Sequence, residues 1–278
     1  MKRIYLIASR CAAGLFALSL LNSCQDVVSI TIPKGASLLA VDGAITDQPG
    51  PYTVTLTRTA PYFDHAALPR VTGAVLRLTD SDGTQEVLRE QAPGTYVTNR
   101  MQGQIGHGYV LSIKAEGEEY EAATEIRRTM HIDSLGKVYR AKTGNDTTGY
   151  RVIYYARELP GRGDYVRFKR FKHGRLLNQP GDLITSSDQL VDGNYLHIEF
   201  GHPYLLPGDR ATIEINSLSA DYYAFLNELG TQIDNVGIFA NPPANVRTNV
   251  RNVNAQSAKV AVGYFAGYAV RSASLTIR

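Results

Sequence analysis

The chain has 278 residues, 44% of them hydrophobic and 20% charged, which excludes wholesale disorder and collagen-like repetition and leaves ample apolar material for a core. Its 29 Lys and Arg against 26 Asp and Glu give a formal net charge of +3, a weak hint of an anionic partner. The surplus sits in front of Cys24, where Lys2, Arg3 and Arg10 lie without any acidic residue, so the remainder is formally neutral and composition offers no argument for nucleic acid.

Residues 1–23 read as a secretory signal peptide, with a basic start at Lys2 and Arg3 and an apolar run over 11–21 that ends in Leu21-Asn22-Ser23-Cys24. As a helix that run reaches roughly 16 Å at 1.5 Å per residue, short of a hydrocarbon core of about 30 Å, so it is not read as a retained membrane span. Leu21 and the small Ser23 before Cys24 resemble the bacterial lipobox, which implies cleavage before Cys24 and acylation of its thiol and new amine. Several acyl chains anchor stably, because each buried CH2 contributes about 0.8 kcal/mol. Of the two cysteines, Cys11 leaves with the signal, so Cys24 has no disulfide partner in the mature chain.

Residues 24–36, with Pro33 and Gly35, read as a lipidated tether. The rest suits two domains. Over 37–128 the alternation of apolar and polar residues predicts seven strands, at 37–45, 52–58, 73–79, 85–90, 94–98, 108–115 and 120–127. Asp47-Gln48-Pro49-Gly50-Pro51 and Asp80-Ser81-Asp82-Gly83 supply turns between them. Short strands at this spacing predict an immunoglobulin-like or transthyretin-like β-sandwich, without the Cys-Trp-Cys pattern of antibody domains.

Over 129–278 the chain reads as a second β-rich domain, with strands at 134–140, 150–158, 164–172, 195–200, 210–216, 258–270 and 272–277. One amphipathic helix interrupts it near 219–231. Ser219 is its expected N-cap, and Tyr222, Phe225, Leu226, Leu229 and Ile233 recur at helical spacing, a face expected to pack on the second sheet. Asn241-Pro242-Pro243-Ala244-Asn245 reads as a fixed extended loop.

The motifs Val41-Asp42-Gly43-Ala44-Ile45-Thr46-Asp47, Gly50-Pro51-Tyr52-Thr53-Val54 and Val71-Thr72-Gly73-Ala74-Val75, the helix from Ser219, Pro242-Pro243-Ala244-Asn245-Val246 and Gly263-Tyr264-Phe265-Ala266-Gly267-Tyr268 resemble the Bacteroidota lipoprotein family catalogued as domain of unknown function 4249. The resemblance implies no reaction. Family members are often encoded near TonB-dependent outer-membrane receptors, which implies an accessory role in uptake at the outer membrane. Only Gln25-Asp26 follows the lipidated Cys24, in place of the acidic run tied to surface export, so the periplasmic face and the cell surface both stay open.

For catalysis the sequence offers little. It has no Gly-x-Ser-x-Gly elbow, no His-Glu-x-x-His and no phosphate loop, and the expectation is a non-enzymatic protein without a cofactor. His197 and Glu199 share a strand face with His202 nearby, a conceivable Zn²⁺ trio, though a polar strand face beside a turn is the preferred reading. Asp80, Asp82 and Gly83 resemble the start of a Ca²⁺ loop but read as a hairpin turn. Arg162-Gly163-Asp164 spells an adhesion tripeptide, but Pro160-Gly161 before it already accounts for a turn. The basic stripe Arg167, Lys169, Arg170 and Lys172 could meet an anionic glycan or a lipid headgroup. Seventeen Tyr with no Trp suit β-sheet packing first, and Tyr62 and Phe63, beside Pro61 and ahead of a loop, are the candidate contacts to a partner, glycan or peptide. The leading expectation is therefore a lipid-anchored accessory subunit of a TonB-dependent uptake system, with an independent glycan-binding or adhesive lipoprotein as the alternative and a hydrolase behind both.

Overall fold

The computed structural model describes residues 37–60, 66–141, 148–235 and 244–278. The first part of the chain gives β1 (Leu39–Thr46), β2 (Thr53–Arg58), β3 (Val75–Asp80), β4 (Gln85–Val87), β5 (Arg89–Ala92), β6 (Thr95–Val97), β7 (Gly108–Ala115) and β8 (Glu118–Glu125). Then come β9 (Ser134–Arg140), β10 (Gly149–Arg157), β11 (Tyr165–Lys172), β12 (Arg175–Leu176), β13 (Ile184–Ser187), β14 (Tyr195–Glu199) and β15 (Arg210–Leu218). The helix α1 (Ala220–Ile233) and strands β16 (Val250–Asn252), β17 (Ala261–Tyr268) and β18 (Val270–Thr276) close the chain. Among the described residues the protein is mainly β with one α-helix, and no helix is long and apolar enough to cross a membrane.

The strands form because their side chains alternate. In β7, Tyr109, Leu111, Ile113 and Ala115 are buried while the residues between them are not, as a strand covered on one face requires. Two sheets, ordered β17-β1-β2-β6-β5 and β16-β8-β7-β3-β4, face each other across a core that includes Leu39, Leu56, Leu76, Leu111, Ile113 and Phe265. The strand expected over 85–90 is divided at Leu88. Its first half, β4, pairs with β3 in one sheet, and its second, β5, pairs with β6 in the other. Leu88 is buried in the core between them and its N–H bonds the carbonyl of Leu76 at 2.9 Å, so the chain changes sheets at that residue.

The sandwich also takes strands from the far end of the chain. β17 pairs parallel to β1 from Leu39↔Ala261 to Thr46↔Tyr268, and β16 pairs antiparallel to β8 with Val250 opposite Ala122. Residues 250–268, read from sequence as part of the second half, thus lie in the first sandwich. Gly263 makes the parallel pairing possible. It sits at φ +90°, and a Cβ there would lie 2.0 Å from the carbonyl oxygen of Val41.

The second pair of sheets is ordered β14-β10-β9 and β12-β11-β15-β18, with β13 also paired to β11. Val152, Tyr154 and Ala156 of β10 meet Phe168 of β11 and Ile213 and Ile215 of β15 between them. At one side β9 adjoins β18, where Lys137 Nζ donates to the carbonyl of Arg278 at 2.6 Å. At the other side β14 and β13 are edge strands. Each is paired along one side only among the described residues.

Ser219 caps α1 as expected, its Oγ accepting from the Tyr222 N–H at 3.1 Å. The helix packs on both sandwiches and not on the second alone: Tyr222 lies 4.7 Å from the ring of Tyr264 on β17, and Tyr223 lies 4.7 Å from Tyr165 on β11. Burial pushes the Tyr222 hydroxyl pKa up to about 12. Beside the helix, Ser217 Oγ donates to the Arg127 carbonyl at 2.7 Å and accepts from the Ala269 N–H at 2.8 Å, tying together the three segments that pass between the sandwiches.

Candidate functional site

Between the edges of β13 and β14 lies a cavity of about 250 Å³. Met130, Val166, Phe168, Val191, Leu196 and Ile198 make its apolar walls. Its polar wall is built from strand ends. β10 runs out into Glu158, β11 begins just after Asp164, and β13 runs out into Asp188, so three carboxyls that are distant in sequence arrive at one end of facing sheets. They are 2%, 8% and 5% exposed, and one oxygen from each lies within 4.8 Å of the others.

The three carboxyls differ in how far their acceptors are used. Asp164 is held by Arg128, whose Nε lies 3.0 Å and whose terminal nitrogen lies 2.8 Å from Oδ2. The same guanidinium donates to the carbonyls of Pro160 and Gly161 at 2.9 and 2.8 Å, and its bond to Asp164 raises its own pKa. Asp188 Oδ2 accepts from the N–H groups of Gly163 and Asp164 at 2.8 and 3.0 Å. Among the described residues the Glu158 carboxyl has only a distant contact, the Gly193 N–H at 3.5 Å from Oε2. Burial raises the pKa of Glu158, the Gly193 contact offsets part of that, and the negative charges of Asp164, Asp188 and Asp192 raise it further.

The tripeptide Arg162-Gly163-Asp164 is part of this construction. Asp164 is buried against Arg128, so it is not displayed to an adhesion receptor, and the turn reading of the segment holds. The suggested zinc trio is not brought together. Glu199 is taken by Arg140 at 2.6 Å and Arg151 at 3.4 Å, and His197 stacks on Tyr155 with ring centroids 5.0 Å apart. The polar strand face is the arrangement found.

Asp80 and Asp82 close a hairpin, with the Gly83 N–H on the Asp80 carbonyl at 2.9 Å and the Thr84 N–H on Asp82 Oδ1 at 2.8 Å. His107 Nδ1 lies 2.8 Å from Asp80 Oδ1, completing a small cluster at that turn. The basic stripe of β11 does not form an anion-binding face. Alternation sends Arg170 into the core against Asp182, while Lys169 pairs with Glu214 at 3.2 Å and Lys172 with Asp209 at 2.7 Å. Tyr96, Tyr109 and Tyr154 are fully buried, in keeping with sheet packing as the main use of tyrosine. Cys24, Tyr62, Phe63 and Pro242-Pro243 lie outside the described residues.

Glu158 and Asp188 were not singled out from sequence. The only local signal at this site was the turn Pro160–Asp164, and nothing in the order of residues says that Glu158 and Asp188 meet there. The model for the domain of unknown function 4249 matches residues 25–274. The chain belongs to that family. No curated protein gives a significant match. In this member of the 4249 family the matched region starts one position after Cys24 and spans both sandwiches, the helix and the acid-lined cavity.

Proposed function

We propose that this 4249-family protein is a lipid-anchored envelope protein, held at the outer membrane through Cys24, that binds a ligand without transforming it and serves as an accessory subunit of a TonB-dependent uptake system. The observation that carries the binding reading is the cavity between β13 and β14, which joins apolar walls to a few convergent polar groups. Its acids speak against glycoside hydrolysis. Asp164 is committed to Arg128 and Asp188 to two backbone N–H groups, which leaves Glu158 alone, whereas glycoside hydrolysis needs two working carboxyls. Support for the anchor comes from the lipobox-like Leu21-Asn22-Ser23-Cys24 and from a family match that begins at residue 25.

Replacing Cys24 with Ala is expected to move the protein from the membrane to the soluble fraction, read by fractionation and immunoblotting; unchanged partitioning would remove the anchor. Co-purification of the tagged protein in mild detergent tests the partnership, and repeated failure to recover a TonB-dependent receptor would remove it.

A second reading, an independent glycan-binding surface protein, is favoured by one observation. On the outer face of the β14-β10-β9 sheet, Tyr155 stacks with Tyr195 and His197 at 6.5 and 5.0 Å, and Gly136 leaves room beside the Tyr155 ring, where a Cβ would lie 3.0 Å from it. Tyr195 is 55% exposed, so this platform is open to stacking. Protease treatment of intact cells tests this second reading, because a protein that survives it faces the periplasm and the surface reading is removed.

A further inference from the structure

We propose that the cavity between β13 and β14 takes an organic cation, a primary ammonium or guanidinium carried on an apolar stem, with Glu158 as its counter-ion. The inference rests on reading the cavity as a ligand site. It does not depend on the anchor at Cys24.

The charge at the cavity is out of balance. Among the described residues three carboxyls, from Glu158, Asp164 and Asp188, converge on it and one guanidinium, that of Arg128, answers them. Arg128 reaches Asp164 from the rim, with its side chain 45% exposed. Asp164 and Asp188 are satisfied by that guanidinium and by backbone N–H groups, so the unmet acceptor capacity is concentrated on Glu158. A carboxylate buried to 2% exposure with one contact at 3.5 Å is costly unless it binds a proton or a cation. Its raised pKa reflects the same deficit from the proton's side.

The rest of the cavity decides between an organic cation and a metal ion. Ca²⁺ needs six to eight oxygen ligands, but here Asp188 Oδ2 already accepts two N–H bonds and Asp164 already faces a guanidinium. A space of about 250 Å³ far exceeds one ion. Its walls of Phe168, Val191, Leu196 and Ile198 suit a hydrocarbon stem that ends in a charge, the shape of a Lys or Arg side chain or of a free alkylamine. Both sources share the chemistry. An extended peptide could also pair along the open side of β14, whereas a free amine could not.

Calorimetric titration with hexylammonium, hexanol and hexanoate tests the proposal on the intact protein. Hexylammonium is expected to bind saturably, at least about tenfold more tightly than the other two. Glu158→Gln, checked for a cooperative thermal transition, is expected to weaken hexylammonium by at least about tenfold and leave hexanol unchanged. Val191→Phe, which narrows the cavity and keeps all three carboxyls, is expected to weaken it as well. A short extended peptide with one central lysine that binds more tightly than hexylammonium assigns the source to peptide; equal or weaker binding assigns it to a small amine. No saturable hexylammonium binding, or hexanol or hexanoate bound as tightly, overturns the proposal. So does stoichiometric Ca²⁺ or Zn²⁺ binding that Glu158→Gln abolishes. Membrane partitioning of the Cys24→Ala protein reads the anchor independently, so the two readings fail separately.

Discussion

Tyr154 and Glu158 lie four positions apart on and just beyond β10, and both place polar atoms in a buried environment. The Tyr154 ring packs edge-on against Phe168 with centroids 5.5 Å apart, but its hydroxyl has no hydrogen-bond partner among the described residues. An unpaired buried hydroxyl carries a desolvation cost with no compensating bond. Tyr154→Phe is therefore expected to raise stability by about 1 kcal/mol, read as a higher urea midpoint at unchanged slope. For Glu158 the sign follows from linkage. Below the ordinary value of 4.5 both folded and unfolded chains hold the proton, and between 4.5 and the raised folded value only the folded chain does. Stability thus falls as pH rises through that window and stays lower above it. Asp164, Asp188, Asp192 and Arg128 face the same carboxyl and shape the rest of the profile. Glu158→Gln should match the wild type at acid pH and melt a few degrees higher at pH 7, at about 2–4 °C per kcal/mol, in ligand-free protein.

At the scale of single elements, what was legible from sequence was what depends on neighbours along the chain. The alternation in β2 and β7, the turn Asp80-Ser81-Asp82-Gly83 and the Ser219 cap are all decided within about ten residues, and each is found where it was read. Elements fixed by a distant partner were misread or missed. β16 is three residues long and becomes a strand only by pairing with β8, and β4 and β5 read as one strand over 85–90 until Leu88 fills the core between two sheets. Gly263 belongs to the same class. Its need for glycine comes from Val41, more than two hundred positions away. Gly263→Ala is expected to cost more than about 3 kcal/mol, since it combines a positive φ with a Cβ inside contact distance of backbone, while Gly83→Ala, with open space around it, should cost less than half as much. Paired denaturant titrations check the difference.

For the whole molecule, the return of the chain is the governing fact. Val250, Ala261, Phe265 and Ala269 belong to the same core as Leu39 and Leu111, so the first sandwich is completed only after the second has been traversed. A fragment ending at residue 128 lacks β16 and β17 and leaves β1 and β8 as unprotected edges. It is expected to show no cooperative unfolding transition, measured by circular dichroism against the intact chain. The connection also places the acid-lined cavity. Arg128 belongs to the segment that leaves the first sandwich, while Glu158, Asp164 and Asp188 come from the second, so the acid wall is assembled where the two meet.

The sequence by itself determined the β class, the helix capped by Ser219 and most strand positions, because periodicity and turn chemistry are local and need no partner to be read. Only the tertiary structure decided which strands pair, that residues 250–268 return to the first sandwich, that Lys169, Arg170 and Lys172 of β11 divide between two faces and pair with acids, and that Glu158 stands beside Asp164 and Asp188 at an apolar cavity. These are contacts between residues tens to hundreds of positions apart. The free energy that selects them comes from burying shared apolar surface and satisfying buried polar groups, neither of which is written in any one stretch of the chain.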